Sequence, residues 1–159
     1  NMGENSSNRL AIIAVHGTLD LAYPPLILAT AALALDMEAA IFFTFYGLEI
    51  IKKGNADKLM VAPIANPAMP MPVPNIVGML PGMTAMATGM MNNWMKKANV
   101  AKLSELLEMA VEGGVRMIAC QMSMDVMGIK KEDLIDGIEI GGAASFLSYA
   151  SENAMVLSF

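Results

Sequence analysis

Cysteine and histidine are nearly missing from this chain of 159 residues: there is one of each, Cys120 and His16. A lone cysteine cannot close a disulfide or form a C-x-x-C pair, so a covalent staple and thioredoxin-type dithiol chemistry are both excluded. A lone histidine leaves no cluster with zinc-ligand spacing. Charge is also scarce, at 16% of residues against about 25% in ordinary soluble domains. The balance is acidic, with a formal net charge of -5 and a pI near 4.8. Without a basic block the chain has nothing with which to neutralise phosphates, which excludes nucleic acid as a partner class. No G-x-G-x-x-G or P-loop pattern occurs, and neither Ser123 nor Ser145 sits in the G-x-S-x-G setting of an esterase. No cofactor and no metal is expected.

What the chain has in excess is apolar surface. Hydrophobic residues make up 55%, and 17 of them are methionine. A chain of this length forms one domain with a real core. The surplus implies a large core, a surface hidden in an oligomer, or contact with a membrane. The polar stretch Asn1–Asn8 has no apolar run of the signal-peptide kind, so a cytoplasmic protein is expected.

Three short apolar runs read as buried strands of a parallel sheet: Arg9 to Val15, Ala39 to Phe45, and Val115 to Cys120. Between the first two, Leu21 to Leu35 reads as a helix, with Asp20 as N-cap and Pro24 and Pro25 in its first turn. Gly47 to Lys53 reads as a short helix closed by Gly54. Apolar residues from Val100 to Val111 recur at helical spacing, and Gly113-Gly114 stops that helix. After Cys120 come a helical turn to Met127, a second turn over Lys131 to Ile135, a brief strand over Ile138 to Ile140, a helix from Ala143 to Asn153, and an edge strand from Met155 to Phe159. Alternating strands and helices predict an α/β fold: a three-layer αβα sandwich around a mostly parallel sheet.

The middle departs from this pattern. From Leu59 to Met95 no residue is charged, and the stretch holds six of the eight prolines and nine of the methionines. The expectation is a single domain over residues 1–159 with a long, adaptable Met/Pro-rich insertion over 55–98. Met-rich surfaces repack readily against partners. Ile76 to Met91 is apolar, but Pro81, Gly82 and Gly89 interrupt it, so membrane attachment is not favoured.

In open parallel sheets, ligands bind beyond the carboxyl ends of the strands. Those ends offer His16-Gly17, Tyr46-Gly47 and Cys120-Gln121-Met122-Ser123. Cys120 closes its strand just before a helical turn, where N–H groups favour a thiolate. It is expected to be an exposed nucleophile, with His16, Gln121, Met122 and Ser123 in support. The rival reading is an inert structural thiol, with His16 an ordinary loop histidine and Gly17 and Gly47 tight-turn glycines rather than phosphate cradles.

These segments resemble the DsrE/DsrF/DsrH-like sulfur-relay family, also called peroxiredoxin-like. The resemblance rests on the strand Leu10 to Val15, on Phe45-Tyr46-Gly47, and above all on Val115 to Gly128 followed by Gly137 to Ala150. Within the family the chain looks most like the branch with a Met/Pro-rich insertion before the cysteine strand. The resemblance implies a small α/β domain that assembles as trimers or hexamers, with Cys120 accepting sulfane sulfur as a persulfide and passing it on. It points to a sulfur carrier or sulfurtransferase whose donors and acceptors are proteins or small sulfane compounds. The alternative is a non-catalytic oligomeric binding protein that uses the Met-rich segment, with Cys120 structural.

Overall fold

The computed structural model describes residues 8–61 and 81–159. Its three apolar runs form the strands β1 (Arg9–Ala14), β2 (Glu38–Phe43) and β3 (Arg116–Cys120). Two further strands, β4 (Ile138–Gly141) and β5 (Ala154–Ser158), complete one sheet in the order β4-β3-β2-β1-β5. All four pairings are parallel. The inner strands are apolar on both sides because both faces are covered. β5 lies at an edge, where Met155 and Val156 stay half exposed.

The crossover rule decides which layer each helix joins. The chain steps from β1 to β2 to β3 in one direction across the sheet. Right-handed crossovers therefore place α1 (Leu19–Ala34) and α3 (Leu103–Glu112) on the same face. They pack on each other over the main core, which includes Ile12, Leu26, Ile41, Phe43, Leu107 and Met117. The last crossover runs back from β4 past the whole sheet to β5. Its helix α5 (Ala143–Ala150) accordingly falls on the opposite face, over a smaller cluster of Ala11, Phe42, Ile118, Cys120 and Phe146.

Several local expectations need correction. Helix α1 starts at Leu19, whose N–H bonds to the carbonyl of Met60, and its N-cap is Thr18 rather than Asp20. Pro24 and Pro25 consequently lie inside the helix, where each gives up the N–H that would reach the carbonyl four residues back. The segment after β2 is a 3-10 helix, Phe45–Ile50, rather than an α-helix beginning at Gly47. The helix after β4 stops at Ala150, because Ala154 onward pairs with β1.

Part of the Met-rich stretch is also regular. Residues Met83–Lys97 form a helix, α2, that runs straight through Gly89. Pro81 and Gly82 lie before its first turn, and Gly82 adopts a left-handed conformation (φ 89°), so these breakers start the helix rather than interrupt it. The proline-dense part of the insertion lies outside the described residues. Among the described residues no helix is long and apolar enough to cross a membrane.

Candidate functional site

β2 and β3 end side by side. Their register pairs Phe43 with Ala119, so one step further Thr44 comes opposite Cys120. Residues two apart on a strand share a face. Phe42 and Ile118 belong to the cluster under α5, and Thr44 and Cys120 follow them on that side.

The chain then turns directly into the short helix α4 (Gln121–Met127), with Cys120 as the residue before its first turn. First-turn N–H groups have no partner inside a helix. Here the N–H groups of Met122 and Ser123 lie at the strand end beside Cys120 and favour its thiolate. The Ser123 side chain is fully buried, and its hydroxyl oxygen stands 2.8 Å from that of Thr44.

Burial pushes the Cys120 thiol up. Hydrogen bonds to the sulfur from the Ser123 hydroxyl and N–H, the Thr44 hydroxyl and the Met122 N–H together outweigh it, and they hold the pKa below the ordinary thiol value. The two hydroxyls have one proton each. One proton spans the Thr44–Ser123 contact, which leaves the other for the sulfur. The pair can therefore offer Cys120 one proton at a time while the other hydroxyl polarises the donor.

The expectation of an exposed thiol is overturned: Cys120 is only 5% exposed. The reason is its place on an inner strand, facing the α5 layer, where the Phe42 and Phe146 rings stack with centroids 5.3 Å apart. The exposed groups stand around it instead. Met122 and Val126 on α4, and Phe45 and Tyr46 on the 3-10 helix that α4 packs against, form an apolar rim at this end of the sheet.

The other residues named from the sequence divide. Met122 contributes its backbone N–H while its side chain points outward. Gln121 turns away and donates to the Asp125 carboxylate at 2.8 Å. His16 is exposed at the end of β1, two strands from β3, or about 10 Å. Thr44 was missed. A signal for it existed, since Thr44 is the one polar residue in the run Ala39 to Phe45 and lies near the end that a parallel sheet sets beside the end of the cysteine strand.

Glycine allows the two loops beyond the strands to meet. The Gly47 N–H bonds to the carbonyl of Val15 at 3.0 Å, and a Cβ at Gly47 would collide with the backbone carbonyl of Ala14. At Gly17 a Cβ would collide with the carbonyl of Tyr46. These close approaches fix the end of β2 and hence Thr44, whose own N–H bonds to Ala14.

Comparison with known proteins bears on this arrangement. The sequence profile of the DsrE/DsrF/DrsH-like family matches residues 6–157. The chain is 48% identical over 155 residues to the Sulfur carrier protein DsrE2 of Allochromatium vinosum, covering 94% of this chain and 96% of that one. It is 35% identical over 161 residues to the uncharacterized protein YrkE of Bacillus subtilis, covering 95% and 96%. Among solved structures, YchN of E. coli matches with a TM-score of 0.58 at 17% identity, over 95% of this chain and 99% of that one, and so shares the fold. By its sequence over nearly its whole length and by its five-stranded parallel sheet, this chain belongs to the DsrE/DsrF/DrsH-like family.

Proposed function

We propose that this protein is a sulfur carrier in which Cys120 accepts sulfane sulfur as a persulfide and passes it to a partner thiol. The observation that carries the reading is the sulfur itself: the only one in a cysteine of this chain, placed at the end of β3 ahead of α4 and held below its ordinary pKa. A thiolate is the form that attacks sulfur. Identity of 48% to a protein called a sulfur carrier supports the same reading.

The absence of a second cysteine sets the form of the chemistry. No resolving thiol in the chain can turn a persulfide on Cys120 into a disulfide, so sulfur must leave to another molecule. The donors and acceptors in this reading are protein persulfides and thiols or small sulfane compounds, met at the apolar rim. The reading also takes the chain as one domain with an insertion over 55–98, working in the cytoplasm as a homo-oligomer, a trimer or hexamer. The half-exposed Met155 and Val156 on the edge strand and the exposed Leu147 on α5 favour subunit contact there.

Mass spectrometry after treatment with a sulfane donor tests the proposal. Intact wild-type protein should gain the mass of one sulfur atom, dithiothreitol should remove it, and Cys120→Ser should gain none. A wild-type chain that takes up no sulfur, or a Cys120→Ser chain that takes up as much, would refute it.

A further inference from the structure

The two hydroxyls beside Cys120 suggest more than a poised nucleophile. We propose that Thr44 and Ser123 form a positioning pair that holds the Cys120 sulfur as a good leaving group, so that the site favours handing sulfur on over keeping it. The inference rests on the sulfur-carrier reading and names what sets its direction.

Geometry carries the argument. Thr44 arrives from the end of β2, one step beyond the Phe43–Ala119 pair, and Ser123 from α4, so two separate elements meet beside Cys120. The hydroxyl oxygens are 2.8 Å apart, and Ser123 has no exposed surface. A buried hydroxyl must be hydrogen-bonded. With one proton engaged between the pair, the remaining one is available to the neighbouring sulfur, and both hydroxyls act to favour its thiolate.

The chemistry has two steps. In loading, the Cys120 thiolate attacks the outer sulfur of a donor persulfide R–S–SH; the new S–S bond forms as the donor S–S bond breaks, and R–S⁻ departs. In discharge, an acceptor thiolate R′–S⁻ attacks the outer sulfur now on Cys120; R′–S–SH forms and the Cys120 sulfur leaves as thiolate. Each step moves one neutral sulfur atom between thiolates, with no net oxidation. The pair donates to the inner sulfur, the atom that is nucleophile in the first step and leaving group in the second. Hydrogen bonds to that atom weaken it as a nucleophile and improve it as a leaving group. They therefore favour discharge over loading for each thiolate present.

Thr44→Val, which keeps the shape and removes the hydroxyl, tests the pair, with Thr44→Ser as the conservative control. Loading by a small persulfide and discharge to a small thiol are followed separately by mass spectrometry, and the protonation of Cys120 by its ultraviolet thiolate absorbance. In Thr44→Val the absorbance midpoint should move to higher pH. Loading per thiolate should rise, by about threefold for each pH unit of midpoint shift, while discharge slows. Thr44→Ser should restore all three. An unmoved midpoint, or loading and discharge falling in equal proportion, overturns the proposal, the latter being the mark of a merely structural role. Wild-type protein that takes up no sulfur overturns the carrier reading and the discharge role together, while the absorbance midpoint still decides whether the hydroxyl pair acts on the sulfur.

Discussion

Removing the Ser123 hydroxyl should raise the Cys120 pKa, by at most about one unit. A hydrogen bond to a charged acceptor contributes about 1.5–3 kcal/mol, and one pKa unit corresponds to about 1.4 kcal/mol. The lower end of that range is an upper bound here, because Ser123→Ala leaves its own N–H, the Met122 N–H and a Thr44 hydroxyl now free to turn its proton to the sulfur. For a shift of a full unit, the thiolate fraction below both midpoints falls about tenfold, while each thiolate becomes about threefold more nucleophilic. Alkylation by a small haloacetamide should therefore slow about three- to fourfold at low pH and run about threefold faster once both proteins are fully ionised. The two pH–rate curves must cross. Stability follows the same sign. A depressed folded-state pKa contributes stability that is fully present above the ordinary thiol pKa and disappears as pH falls through the lowered value. Urea titrations should accordingly show Ser123→Ala losing more stability at alkaline than at neutral-to-acid pH, by up to about 1.4 kcal/mol. Curves that stay parallel, or a destabilisation independent of pH, would refute the claim that this hydroxyl acts on the sulfur.

Other perturbations separate packing from chemistry. Phe146→Ala removes the ring stacked on Phe42 from the cluster that contains Cys120. It should cost about 3–5 kcal/mol in denaturant unfolding and speed alkylation; because water then reaches the sulfur, the absorbance midpoint should fall, opposite to Ser123→Ala. Gly47→Ala forces a methyl group into the carbonyl of Ala14. The expected loss is about 1–3 kcal/mol, and an upward shift of the Cys120 midpoint should accompany it, because Thr44 hangs from the same junction; an unchanged midpoint would break that link. His16→Ala should leave both the midpoint and sulfur loading within error of wild type, and a clear change in either would bring His16 into the site.

Much of the site was legible before the fold was known. The apolar runs ending at Phe45 and Cys120, and the turn signals after them, already placed a cysteine at the carboxyl end of a parallel strand ahead of a helix. The N–H groups of Met122 and Ser123 follow from that placement, since a helix leaves its first N–H groups free whatever its sequence. Two things could not be read this way. Burial of Cys120 depends on α5, which reaches its face only because the last crossover runs back across the whole sheet. Thr44 joins the site through strand register, a relation between residues far apart in the chain.

The sequence by itself determined the strands, their parallel order of helices and strands, and the single thiol, because hydrophobic period and composition are local properties. Tertiary structure alone decided that this thiol lies under a covering helix, that its support comes from Thr44 and Ser123 rather than from His16 or Gln121, and that glycines at 17 and 47 let two loops close on each other. The physical reason is the same in each case. Burial, hydrogen-bond partnership and close backbone approach belong to pairs of segments, and they exist only once the sheet has set which strand ends lie together.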